Sequence, residues 1–185
     1  MGEANKRAEV EVEEYLQGEL NSEVRHEYIG GHVYAMSGES EEHNLISGNL
    51  YAALRQHLRG NPCRVFMADM KVRLTIASDD VFYYPDLLVT RDSADGEKYY
   101  KTKPAVLVEV LSPSTECLYR REKFLSYQRF DSLQEYVLVD QSKIEITLFE
   151  RKSGWNPLTL KLEDVLHLDS LDFSLPVQAI YEDVF

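Results

Sequence analysis

One stretch limits the fold more than any other: Ala105 to Leu111 is apolar at every position but one. A strand on a half-exposed sheet alternates polar and apolar residues, so a continuous run of branched residues belongs to a strand covered on both faces. Such a strand needs packed layers above and below it. The single break is Glu109. Taking an unpaired carboxylate out of water is costly, so an acid at that position has a cation or a proton to manage. A second acid, Asp86, closes Tyr83-Tyr84-Pro85-Asp86 after another apolar run. Two acids so placed point to a divalent metal.

The remaining pattern supplies the layers. Residues 1–20 read as an acidic N-terminal extension with a helix candidate over 8–17. Arg25 to Tyr28 and His32 to Met36, joined by Ile29-Gly30-Gly31, read as a hairpin. Ser40 caps a helix whose early glutamates suit the dipole and whose apolar face is Leu45/Ile46, Leu50, Ala53/Leu54 and Leu58. Gly60-Asn61-Pro62 stops it. Strands are predicted over Arg64–Met67, Met70–Ile76 and Val81–Thr90, the second with Asp69, Lys71, Arg73 and Thr75 on its solvent face. A charged loop, Arg91 to Lys103, precedes the apolar strand. A helix opened by Ser112-Pro113-Ser114-Thr115-Glu116 runs to about Phe130. Strands over Glu135–Asp140, Ile144–Glu150 and Trp155–Leu162 follow, with a turn at Ser153-Gly154 and a short last helix after Leu175-Pro176. This order predicts a mixed α/β, or α+β, sheet with a covered central strand.

Composition narrows the function classes. A chain of 185 residues with 44% apolar residues fits one compact domain. Cys63 and Cys117 make neither a disulfide framework nor a zinc spacing, and two reduced thiols fit a cytoplasmic protein. No leader-like or membrane-spanning apolar run is present, so no membrane partner is expected. The net charge of -12 is unevenly spread: residues 1–43 carry -8, residues 44–130 carry +3 and residues 131–185 carry -7. Asp86, Glu109 and Lys123 all fall in the one positive segment, where a local patch can attract an anion despite the overall sign.

Several segments together resemble a known family. They are Tyr84-Pro85-Asp86, Val108-Glu109-Val110-Leu111-Ser112-Pro113-Ser114-Thr115, Glu122-Lys123-Phe124 with Tyr127, and Leu133-Gln134-Glu135-Tyr136-Val137-Leu138-Val139. They resemble the Uma family, described as putative restriction endonucleases of the PD-(D/E)xK nuclease fold. The likeness runs from about Arg25 to the C-terminus and includes Asp69-Met70-Lys71-Val72-Arg73. It implies a single restriction endonuclease-like domain over 1–185, a central mixed sheet flanked by helices, and DNA as substrate. Phosphodiester hydrolysis needs an activated water and relief of charge on a phosphorane-like transition state. Mg²⁺ or Mn²⁺ held by Asp86 and Glu109 would supply both.

In the parent fold a lysine follows the second acid by two residues, a place held here by Leu111. Geometry offers a substitute. Five residues up the strand from Glu109 to Ser114 advance roughly 16 Å, and nine residues back along a helix to Lys123 return about 14 Å. Lys123 therefore lands near the level of Glu109, and the resemblance implies the same migrated lysine. Tyr119, Lys123 and Tyr127 share one helical stripe, although the family usually has an acid where Tyr119 stands.

Glu42, His43, Asp69, Ser112 and Tyr127 are supporting candidates, each with a plain capping or packing role as the alternative. Lys71, Arg73, Arg120 and Arg121 are candidates for phosphate contacts, as are Arg129 and the loop Lys98 to Lys103, and each is otherwise an ordinary surface group. The leading expectation is a metal-dependent DNA endonuclease acting as a homodimer, so that two sites address two strands. The alternative is a catalytically weak or inactive relative that binds nucleic acid or a protein partner. A third is a hydrolase of another phosphate ester, with Ser112 to Thr115 seating the anion.

Overall fold

A computed structural model describes residues 9–91, 94–112 and 117–185, with backbone alone for 117–120. Its elements in chain order are α1 (Val12–Glu19), β1 (His26–Ile29), β2 (His32–Ala35), α2 (Glu41–His57), β3 (Arg64–Met67), β4 (Lys71–Ile76), β5 (Asp79–Tyr83), β6 (Leu87–Thr90), β7 (Tyr100–Lys101) and β8 (Pro104–Leu111). Then come α3 (Cys117–Tyr127), β9 (Glu135–Asp140), β10 (Ile146–Glu150), β11 (Pro157–Leu160), β12 (Val165–Leu168), β13 (Phe173–Pro176) and α4 (Val177–Ile180).

Every residue of β8 is buried. The strand lies inside a six-stranded sheet ordered β11-β10-β9-β8-β6-β3, parallel to β9 and antiparallel to β6, so the sheet is mixed. Side chains alternate along a strand, and the two faces of β8 serve two cores. Val106, Val108 and Val110 pack with Ile46, Leu50, Leu54 and Leu58 of α2. Leu107 faces the other way, into a cluster with Tyr127 and Phe130 from the α3 segment and Val72, Leu74, Val81 and Tyr83 from a second sheet. That second sheet is ordered β2-β1-β5-β4-β7. A third small cluster, Tyr15, Tyr28 and Phe82, seats α1 against it. The α2 apolar face and its Ser40 cap are as expected, the Ser40 hydroxyl accepting from the His43 N–H at 3.3 Å.

The largest correction concerns Val81–Thr90, expected as one strand. It is two, and they belong to different sheets. Pro85 has no N–H to give a ladder, and the Tyr84 N–H goes instead to Glu27 Oε1 at 3.3 Å. The chain thereby crosses between sheets at Tyr84-Pro85-Asp86. Two further differences lie near the C-terminus. The 3₁₀ turn Arg151–Ser153 delays the strand expected from Trp155 until Pro157. The β12–β13 hairpin, absent from the sequence reading, precedes the short last helix that was expected.

Candidate active site

The crossover fixes Asp86. β6 and β8 pair with Leu87 opposite Val108, and one step further along that register sets Asp86 beside Glu109. Both carboxylates line one cleft of about 450 Å³, with Glu27, His43, Lys123 and Tyr34. They therefore share one side of the sheet end.

Each acid is held by named partners. Asp86 Oδ2 accepts the Val110 N–H at 2.6 Å, and Oδ1 stands 3.1 Å from His43 Nε2. Glu109, 9% exposed, accepts the Tyr127 hydroxyl at 2.7 Å on Oε1. Lys123 Nζ lies 3.2 Å from the same oxygen and 3.4 Å from Oε2. Lys123 is 6% exposed, and its ammonium also reaches Glu27 Oε1 at 2.9 Å. Thus Lys123, from the helix after β8, stands at Glu109 as the strand-and-helix geometry predicts. Leu111, where the parent motif has its lysine, is buried apolar packing.

Burial and neighbouring charges together set the protonation preferences. Desolvation pushes Glu109 up to about 7, against the lowering effect of the Lys123 ammonium and the Tyr127 hydrogen bond. Desolvation alone would lower Lys123, but Glu109 and Glu27 outweigh it and raise its pKa, so the amine stays charged. His43 follows the same pattern: burial opposes its charge, and Asp86, Glu39 and Glu109 together raise its pKa.

The donor set suits a hard cation. Mg²⁺ characteristically takes one or two carboxylates and completes its shell with water and substrate oxygens. Asp86 and Glu109 supply that pair, although among the described residues no three His, Cys, Asp or Glu side chains converge as ligands. Beside this pair, Glu27 Oε2 is buried and has no hydrogen-bond partner among the described residues.

The other candidates divide. Tyr127 and His43 belong to the cleft constellation. Glu42 is exposed in the first turn of α2 and does not line the cleft; Glu39 does, 3.5 Å from His43 Nε2. Asp69 is exposed and faces Arg25 at 3.6 Å. Lys71 corrects the expected solvent face of β4. It is buried, donating to the Tyr84 hydroxyl at 3.0 Å, because Tyr84 and Glu19 of α1 cover that side. Arg73 is paired with Asp80 at 2.9 Å and lies over the rings of Phe82 and Tyr100. Arg121 is exposed. Ser112 is half-buried, and the rest of the proposed anion seat, 113–116, lies outside the described residues, as do the side chains of Tyr119 and Arg120. Glu27 and Glu39 were missed by the sequence reading. The signal for Glu27 was an acid inside the hairpin strand His26-Glu27-Tyr28-Ile29.

Comparison with known proteins bears on the fold and the family. The structure matches a crystal structure described as a putative nuclease belonging to DUF820 from Anabaena variabilis, with a TM-score of 0.72 over 89% of this chain and 93% of that one. At 15% identity the likeness speaks for the fold, which is restriction endonuclease-like. Residues 12–178 match the family model Uma2, described as putative restriction endonuclease, and the chain belongs to that family. It is 38% identical over 172 residues to slr1290, an uncharacterized protein of Synechocystis sp., covering 91% of this chain and 90% of the relative. It is 34% identical over 131 residues to sll1609 of the same organism, covering 69% and 73%.

Proposed function

We propose that the chain is a metal-dependent endonuclease that hydrolyses DNA phosphodiester bonds. The observation that carries this reading is the convergence of Asp86, Glu109 and Lys123 in one cleft, with a charged, buried ammonium beside the second acid. Asp86 and Glu109 would hold Mg²⁺ or Mn²⁺, which when bound activates water and neutralises phosphate charge. Val110 N–H and His43 fix the two oxygens of Asp86, and Tyr127 fixes Oε1 of Glu109, so neither carboxylate needs to reorganise. Water adds to phosphorus while a bridging P–O bond breaks and the leaving oxygen takes a proton. Lys123 faces the negative charge that grows on the non-bridging oxygens in that step.

The enzyme works as a homodimer in this proposal, one site for each strand. Among the described residues no helix is long and apolar enough to cross a membrane, and a cytoplasmic setting fits the substrate. A second reading, a weak or inactive relative that binds nucleic acid or a protein partner, is favoured by Tyr119 standing where the family has an acid. Titrating Mg²⁺ and Mn²⁺ into the purified protein and into Asp86→Ala, with and without plasmid DNA, separates the two. Metal binding and plasmid cleavage, both lost in Asp86→Ala, are expected. DNA binding indifferent to metal, with no cleavage, would favour the second reading.

A further inference from the structure

Lys123 is held by two carboxylates, and only one of them belongs to the proposed metal pair. The other, Glu27, is the second residue of β1 and is 2% exposed. Its Oε1 lies 2.9 Å from Lys123 Nζ and accepts the Tyr84 N–H at 3.3 Å, while Oε2 is buried without a hydrogen-bond partner among the described residues. An acid kept in that state costs stability, because a buried carboxylate oxygen left unpaired forfeits its hydration. The same peptide segment, Tyr84-Pro85-Asp86, fixes both Glu27 and Asp86, so the position of the one is tied to the position of the other. The Tyr83 ring, 5.4 Å from Lys123 Nζ, lines the ammonium from a further side.

We propose that Glu27 is a positioning residue: it holds the Lys123 ammonium in place at the cleft once Glu109 is committed to a metal ion. Without it, the other carboxylate that the described residues set against Lys123 turns to the metal, and a buried ammonium beside a cation swings away. Glu27 acts through Lys123 and does not touch metal or substrate. This inference rests on the role proposed above for Lys123.

Glu27→Gln keeps the shape and an acceptor for the Tyr84 N–H while removing the charge. In Mg²⁺-dependent plasmid cleavage it should lower kcat roughly 10- to 100-fold, the range seen when an orienting partner is lost. KM for DNA and the Mg²⁺ titration midpoint should stay at wild-type values, a split that general loosening of the fold would not give. A second readout needs no activity. In Mg²⁺-loaded protein with nitrogen-15 lysine, the Lys123 ammonium resonance, assigned by its loss in Lys123→Met, should be protected from water exchange in the wild type and unprotected in Glu27→Gln. Wild-type kcat with a protected ammonium in Glu27→Gln would overturn the proposal. Loss of Mg²⁺ affinity in Glu27→Gln would overturn it too, by making Glu27 a ligand. A wild type that cuts no DNA would sink the nuclease reading alone, and the ammonium signal would still decide the role of Glu27.

Discussion

Three buried glutamates mark where single residues decide the behaviour of this chain. Glu27 and Glu109 share Lys123; Glu135, at the start of β9, has no cation against it among the described residues and accepts the Ser170 N–H at 2.8 Å and its hydroxyl at 2.5 Å. Burial therefore raises the pKa of Glu135, and the two Ser170 contacts offset only part of the shift. An acid whose folded pKa lies above its unfolded value favours the fold while protonated, and that contribution is lost as pH rises through the folded pKa. Glu135→Gln, which cannot ionise, should lose less stability than the wild type as pH rises from below the ordinary glutamate range to neutrality. Urea unfolding at several pH values checks this, and parallel pH profiles for the two proteins would contradict it. Asp86, Glu109 and Lys123 were legible in the sequence because each stands out from an apolar or helical pattern, and the family resemblance added their roles. Glu27 was not, because in an alternating hairpin strand an acid reads as an outward-facing residue; only the tertiary fold, which brings Lys123 of α3 and the Tyr84 N–H to it, makes it inward.

Among the elements, β8 carries the most consequence. Its burial on both faces was predicted from its composition, and the structure uses each face for a different core. Leu107→Ala, at a side chain with no exposure, should cost about 2 to 5 kcal/mol. Leu158→Ala on the edge strand β11, half-exposed, should change stability by less than about 0.5 kcal/mol. Chemical denaturation of both variants measures the contrast, and equal losses would mean that β8 is not the central strand. The helices, the first hairpin and the strands up to Ile76 were readable from period and punctuation. The split of Val81–Thr90 was not, since both halves are apolar and the decisive fact, which sheet each half joins, depends on partners far away in sequence. Pro85 was the one local hint. The β12–β13 hairpin was obscured by its short strands and by a turn that places Asp172, rather than glycine, in the left-handed region.

For the whole molecule, two sheets and α3 bring the acids and the lysine to one cleft, which the positive segment 44–130 shares with Glu27, Glu39 and His43 of the acidic segment 1–43. In the function proposed above, this cleft is a metal-dependent site for DNA cleavage in which Lys123 acts on the transition state. Single-turnover cleavage of plasmid DNA by the wild type, Asp86→Ala and Lys123→Met, each with its Mg²⁺ affinity measured, tests it most directly. Lys123→Met keeps the stem of the side chain and removes its charge. Asp86→Ala should lose both metal binding and cleavage, whereas Lys123→Met should keep metal and DNA binding and slow by roughly 10²- to 10³-fold. Full metal-dependent cleavage by Lys123→Met, or cleavage by Asp86→Ala at the wild-type rate, would contradict it.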